Sequence, residues 1–269
     1  MMKIGFIGTG LMGLPMAKNL LKSDFKLKVF NRSIKKAEPL KEFGAEISKT
    51  LGEVVKDNDF IITMLTDDSA VDAIMNNSDL LENLKPGSTV IDMSSVKPTT
   101  ATKYGNSLKS KNINYLDAPV SGGTIGAEEA SLAIMVGGEQ SVFDNSINIL
   151  KAMGNPTLVG PIGSGQVSKL ANQIVVGVTI GAVAEAITLC EKAGADPIKL
   201  IKALSGGWAD SKILQTHGKR MIDKDFSPKG KTSTHLKDMN NILECANSYN
   251  THLPISNLVK EMYKTLVDN

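Results

Sequence analysis

Through its first 160 residues the chain alternates short apolar runs with amphipathic, charged stretches. Lys3–Gly8 is compact and apolar. Leu11–Lys22 follows with apolar residues at helical spacing. Further strands are expected at Leu27–Asn31, Phe60–Leu65, Thr89–Met93, Ile113–Asp117, Leu132–Val136 and Thr157–Val159, with the Pro86-Gly87 turn leading into Thr89–Met93. Near-continuous apolar strands separated by helices predict a parallel sheet covered on both faces, because such strands bury both of their sides.

Beyond residue 160 the period changes from strand-like to helical. Gly163–Ala193 contains no proline, and its length predicts one helix of about 30 residues, close to 45 Å long at 1.5 Å per residue. Helical patterns follow at Pro197–Leu204, Lys231–Tyr249 and Pro254–Val267. The change of period places a domain boundary at 162/163, giving domains 1–162 and 163–269. Inside the long helix, Ile174–Leu189 is the longest apolar stretch of the chain and carries Glu185 and two glycines. At 16 residues it is shorter than the roughly 20 that cross a bilayer, so it is expected to be a buried core helix and no membrane partner is expected.

Charge and composition narrow the function. The 269 residues carry 30 basic and 28 acidic side chains, a net charge of +2, without the basic stripe of a nucleic-acid binder. Cys190 and Cys245 are too few and too far apart for a disulfide framework or a zinc site. The N-terminus lacks a secretory pattern, and a reducing cytoplasm is the expected compartment.

Gly8-Thr9-Gly10-Leu11-Met12-Gly13 follows the first strand and opens a helix, the context in which GxGxxG binds a dinucleotide. Gly8 serves the tight turn, Gly10 the approach of a pyrophosphate and Gly13 close helix–sheet packing. The helix N-terminus offers N–H groups to the phosphates. At the tip of the second strand an NAD site usually carries Asp or Glu for the ribose hydroxyls. Here stand Asn31, Arg32 and Ser33, all able to donate to a 2′-phosphate. NADP is therefore the expected cofactor, with NAD as the alternative. The tips of the third and fourth strands, Met64-Leu65 and Ser94-Ser95, are expected to line the nicotinamide end.

Two further patterns carry candidate chemistry. In Asp117-Ala118-Pro119-Val120-Ser121-Gly122-Gly123, the last three residues expose successive backbone N–H groups, a nest suited to a carboxylate or to a tight structural turn. On the long helix Lys169, Asn172, Gln173 and Val176 share one stripe. An ammonium there can protonate an alkoxide as a carbonyl is reduced; a plain surface lysine is the other reading. His217, His235 and His252 have no carboxylate partner in a recognisable arrangement and form no metal cluster, so structural roles are expected for them.

Taken together the motifs resemble the β-hydroxyacid dehydrogenase family. Phe6–Gly13 with Pro15–Leu20 matches its N-terminal signature, Asp117–Gly123 its substrate motif, Gly163–Asn172 its catalytic motif and Leu236-Lys237-Asp238 a late helix. The resemblance implies an α/β fold, a Rossmann-type doubly wound sheet followed by an all-helical C-terminal domain, the two joined by a long helix. It implies Lys169 as general acid/base, Ser121, Gly122 and Gly123 on the substrate carboxylate, and Asn172 assisting. Lys237 would lie near substrate and nicotinamide, and Met64, Leu65 and Ser95 would contact the cofactor.

Ser23 and Ala130 stand where the family commonly has glycine. The loop Thr124–Ala127 lacks the Ser-Lys-Lys-Pro of the glyoxylate/succinic semialdehyde branch. The chain is too short for a 6-phosphogluconate dehydrogenase, and Lys169 distinguishes it from imine-reducing relatives. The expected activity is NADP-preferring interconversion of a small β-hydroxyacid and its semialdehyde, in a homodimer or homotetramer and without a metal. The alternatives are a succinic semialdehyde or glyoxylate reductase, and a catalytically silent NADP-binding module.

Overall fold

The computed structural model describes residues 2–227 and 231–268. They divide into two compact units, Met1–Lys169 and Leu170–Asn269. The division falls inside the long helix, beyond the change of period at 162/163.

The first unit is built on the strands β1 (Lys3–Ile7), β2 (Lys26–Phe30), β3 (Glu46–Ile47), β4 (Phe60–Thr63), β5 (Thr89–Asp92), β6 (Asn114–Asp117), β7 (Val120–Ser121), β8 (Leu132–Gly137) and β9 (Gly154–Gly160). Between them run α1 (Gly13–Lys22), α2 (Leu51–Val55), α3 (Asp68–Met75), α4 (Ser78–Asn83), α5 (Pro98–Lys109), α6 (Gly123–Glu128) and α7 (Gln140–Lys151). Strand order is β3-β2-β1-β4-β5-β6-β8-β7, with β9 also on β8. The first six are parallel and follow the doubly wound order, which reverses direction between β1 and β4 and opens a crevice there.

The remaining edge departs from the expected all-parallel sheet. β8 runs antiparallel to β6 and β7 and parallel only to β9. The reversal falls between β7 and β8: β7 runs on in the direction of β6, and the chain turns back through α6 so that β8 lies antiparallel to both.

Alternation along the strands separates two cores. Ile4, Phe6, Ile62, Ile91 and Leu116 pack with Met16, Ala17 and Leu20 of α1 and with Ile149 and Leu150 of α7. Ile7, Ile61, Val90 and Tyr115 face the other way, onto Val54 and Val55 of α2, Val71 of α3 and Leu108 of α5. Side chains at the helix starts satisfy otherwise orphaned N–H groups: Thr50 accepts from Glu53 N, Asp67 from Ala70 N and Asn77 from Leu80 N.

The long helix, α8, spans Ser164–Lys192 and passes from the first unit into the second. The second unit adds α9 (Pro197–Leu204), α10 (Lys219–Ile222), α11 (Thr232–Ser248) and α12 (Pro254–Asp268). α10, and the wider helical turn Leu214–Gly218 before it, were not anticipated. One cluster of this unit gathers Leu170, Met239, Ile242 and Val259, and another Val183, Ile187 and Leu214.

The expected burial of Ile174–Leu189 is not found. α8 is long and apolar enough to cross a membrane by length and composition, yet little of its most apolar stretch is buried within the chain. Its apolar residues lie all round the axis, so the pattern carries no signal of which face its own chain covers.

Ile61 and Ile62 are consecutive on β4 and enter separate clusters. Ile61→Val and Ile62→Val should each lower the unfolding free energy by about 0.5–1.5 kcal/mol. Because the two side chains face opposite clusters, urea denaturation of the double variant should return a loss close to their sum, any shortfall measuring coupling through the shared backbone.

Candidate functional site

The crevice of the first unit opens at the C-terminal tips of β1 and β4. Gly8 turns the chain with φ +102°, and a side chain there would sit 2.3 Å from the carbonyl oxygen of Met64. A Cβ on Gly13 would lie 1.9 Å from the Gly8 oxygen. Both positions exclude any larger residue. A Cβ on Gly10 would meet nothing within 4 Å, which leaves open space beside the backbone. Among the described residues no side chain caps α1; Leu14 N and Met16 N donate to the Gly10 and Met12 carbonyls and Pro15 has no N–H, so donors for a ligand here would come from the glycine loop itself. Glycine-lined room at a helix N-terminus suits a pyrophosphate. Thr9 is buried, Met12 half-buried and Leu11 exposed beside the loop.

At the tip of β2, Asn31 is already engaged. Its amide oxygen accepts from Thr9 N at 2.9 Å and its nitrogen donates to the Ser33 carbonyl at 2.9 Å. Asn31 therefore ties the glycine loop to the second strand. The exposed side chains at this tip are Arg32 and Ser33.

Met64 and Leu65 continue from β4, half-buried, and Ser95, also half-buried, follows β5. Leu65 N donates to Ser94 Oγ at 2.9 Å, which joins the two tips.

Below them lie two carboxylates on neighbouring strands, Asp92 paired in register with Asp117, both fully buried. Asp92 accepts from Thr63 Oγ1 at 2.8 Å and Ser94 N at 3.0 Å. Burial pushes its pKa up. Asp117 accepts from Gly163 N at 2.7 Å and Gln166 N at 2.9 Å, at the start of α8. Burial also raises the Asp117 carboxyl, to about 6, against the opposing pull of those N–H groups and with a further push from Asp92. The motif that begins at Asp117 thus grips the helix that bears Lys169.

Gly122 and Gly123 follow with φ of +140° and +63°, a left-handed pair that glycine adopts without strain. Ser121 is half-buried and both glycines are exposed. Asn19 of α1 donates to the Ala127 carbonyl in α6 at 2.6 Å, anchoring this segment to the fingerprint helix. Of the two departures from glycine, Ser23 has φ −95° and needs none, and the left-handed turn falls on Asp24 at φ +63°. Ala130 does occupy the left-handed region, at φ +54°.

Lys169 is half-buried and closes the first unit. In the second, Asn172 Nδ2 donates to Gln173 Oε1 at 2.9 Å, and Gln173 Nε2 donates to Asp238 Oδ2 at 2.6 Å. Lys237 Nζ lies 3.4 Å from Asp238 Oδ1. The second unit therefore brings Asn172 and Lys237 together through one buried carboxylate. His235 packs against Tyr263 with ring centroids 4.5 Å apart. Among the described residues no cluster of three or more His, Cys, Asp or Glu could hold a metal.

Sequence reasoning overlooked the buried parts of this frame, Asp92 and Gln166, and treated Asp117 only as a motif residue. An aspartate ending each of two otherwise apolar strands was the available signal.

A family model for the NAD binding domain of 6-phosphogluconate dehydrogenase matches residues 3–177. A second, the NAD-binding of NADP-dependent 3-hydroxyisobutyrate dehydrogenase, matches residues 163–269. The chain belongs to the β-hydroxyacid dehydrogenase family. It is similar to 2-hydroxy-3-oxopropionate reductase of Escherichia coli, 41 % identical over 100 % of this chain and 92 % of that protein. It is 33 % identical to a probable mitochondrial 3-hydroxyisobutyrate dehydrogenase-like protein of Arabidopsis thaliana, over 98 % of this chain and 80 % of the other. The structure of Mycobacterium tuberculosis 3-hydroxyisobutyrate dehydrogenase with L-serine superposes with a TM-score of 0.91 at 28 % identity, covering 100 % of this chain and 95 % of that one. This family member is an NAD(P)-dependent oxidoreductase.

The Asp117 carboxyl supplies a pH signature. The folded chain holds its proton up to about pH 6, whereas an unfolded aspartate releases it near 3.8. The stability this group contributes is complete below pH 3.8 and is lost as pH rises through about 6. Asp92 on β5 and Tyr115 on β6 are the titratable neighbours, and Asp92 shifts in the same direction. The stability of the wild type relative to Asp117→Asn should therefore fall across this window by up to about 3 kcal/mol. Chemical denaturation of both proteins at a series of pH values checks this.

Proposed function

We propose that the protein interconverts a small β-hydroxyacid and its semialdehyde, with NADP(H) preferred and Lys169 as general acid/base. One observation carries the reading: the carboxylate of Asp117, which opens the Ser121–Gly123 segment, also holds the first turn of the helix that bears Lys169.

Gly8, Gly10 and Gly13, with Thr9, Leu11 and Met12 around them, would hold the pyrophosphate. Arg32 and Ser33, with Asn31 ordering the loop beneath, would receive a 2′-phosphate. Met64, Leu65 and Ser95 would line the nicotinamide, which when bound supplies or accepts the hydride. The chain's own task is then the proton and the orientation. Backbone N–H groups of Ser121, Gly122 and Gly123 anchor the substrate carboxylate. The Lys169 ammonium, its proton on Nζ, donates to the carbonyl oxygen as negative charge grows there, and the free amine takes the proton back in oxidation. Asn172 and Lys237, steadied through Gln173 and Asp238, orient the substrate hydroxyl and carboxylate.

The likeness to the Escherichia coli enzyme makes 2-hydroxy-3-oxopropionate the first substrate to try. Succinic semialdehyde and glyoxylate are the next. We place the protein in the cytoplasm. The largely uncovered apolar surface of α8 supports a homodimer or homotetramer.

An NADPH-oxidation screen over glyoxylate and the malonic, methylmalonic, tartronic and succinic semialdehydes tests the activity. Lys169→Ala should lose about a hundredfold or more in turnover, the usual scale for removing a general acid, with NADPH binding little changed. Near-normal turnover in that variant would exclude the lysine as the acid. In parallel titrations the wild type should bind NADP(H) at least about tenfold more tightly than NAD(H), since one charge-assisted bond to the phosphate is worth that much. Arg32→Ala should erase most of the difference by weakening NADP(H) alone.

A further inference from the structure

Gln166 has no part in the chemistry described above, yet its side chain is fully buried and every polar group on it is used. Its Oε1 accepts from Val96 N at 3.1 Å, and its Nε2 donates to the Ser94 carbonyl at 2.8 Å. One amide thus grips the backbone on both sides of Ser95, as a neighbouring strand would. The same residue's backbone N donates to Asp117 Oδ2 at 2.9 Å. Ser94 passes the constraint on through its Oγ, which accepts from Leu65 N at 2.9 Å. The tips of β4, β5 and β6 are therefore joined at the first turn of α8, three residues before Lys169.

We propose that Gln166 is a positioning residue that sets the register between the Ser94–Val96 loop and the lysine. The inference rests on the functional reading above, in which Ser95 contacts the cofactor and Lys169 moves the proton. Neither contact is made by Gln166. Its amide instead fixes the distance between the segments that make them. Among straight-chain side chains of this length, only an amide or a neutral carboxylic acid presents an acceptor to Val96 N and a donor to Ser94 O from one planar group.

That chemistry supplies a test which mere space-filling does not pass. Gln166→Met keeps the volume and loses both bonds. Gln166→Glu keeps both when protonated. Ionised, it cannot donate to Ser94 O and adds a charge beside Asp117. Burial and the nearby carboxylates raise the pKa of such a glutamate, so the switch falls within a workable pH range. The titratable groups around it are Asp117 and Tyr115 on β6, Asp92 on β5 and Lys169 on α8. They are common to both proteins, so each reading is taken as a ratio to the wild type at the same pH.

Two measurements are made on the full chain. The first is amide hydrogen exchange over residues 94–97 without cofactor. The second is the pH profile of kcat and of the KM for NADPH. Gln166→Met should lose about ten- to a hundredfold of exchange protection at Val96, the worth of one or two buried hydrogen bonds. Its kcat should fall by a similar factor, the usual cost of misplaced reacting groups, while the KM for NADPH shifts less. Gln166→Glu should match Gln166→Met at high pH and recover both protection and kcat as pH is lowered. Wild-type protection at Val96 in Gln166→Met, or a pH-independent ratio for Gln166→Glu, overturns the proposal. If the wild type turns over none of the semialdehydes, the functional reading fails while the exchange ratios still decide whether the clamp exists. Should Gln166→Met not fold, the pH dependence of exchange in Gln166→Glu decides it.

Discussion

A carboxylate that cannot reach water organises the first unit. Asp117 ends β6, and the N–H groups of Gly163 and Gln166 supply its hydrogen bonds. A buried charge without such partners would cost several kcal/mol or take up a proton. The chain meets this by ending a strand and starting a helix at one point. That point fixes where α8 begins and hence where Lys169 lies along it. The glycines nearby follow from the same crowding. A Cβ on Gly165 would stand 2.6 Å from the Asp117 backbone oxygen, and one on Gly137 would stand 2.5 Å from its Oδ1.

The rest of the sheet works as a rigid seat for tips that are themselves irregular. The central strands β1, β4 and β5 are buried on both faces, whereas polar residues at the tips bind neighbouring segments: Asn31 to Thr9, Ser94 to Leu65, Asp117 to Gly163. Sites assembled on strand ends inherit the stiffness of the strands while leaving backbone groups available.

Much of this was legible along the chain because it depends on neighbours in sequence. The runs at Ile4, Ile61 and Val90 could only be buried strands, and Gly8–Gly13 could only be a tight strand-to-helix turn. The reversed direction of β8 was not legible, since an apolar run reads the same in a parallel and an antiparallel strand, and the two residues of β7 carry no period. The Gln166 clamp was invisible for another reason. Its partners, Ser94 and Val96, lie 72 and 70 residues away, and nothing near an amide in sequence tells which backbone it will meet. α8 shows a third kind of limit. Hydropathy measures the wish to leave water, not which surface grants it, and the helix takes only part of that cover from its own chain.

If NADP(H) is the preferred cofactor, as proposed, the double engagement of Asn31 has a consequence for how that preference could be changed. The familiar route toward NAD places an acid at the end of the second strand, and position 31 is that end. An aspartate there could still accept from Thr9 N but could not donate to the Ser33 carbonyl, so the segment that presents Arg32 would loosen as the charge was altered. Cofactor choice and loop order are thus linked traits at this position. Evolution or design would meet less resistance by changing the exposed Arg32 first and leaving the asparagine in place.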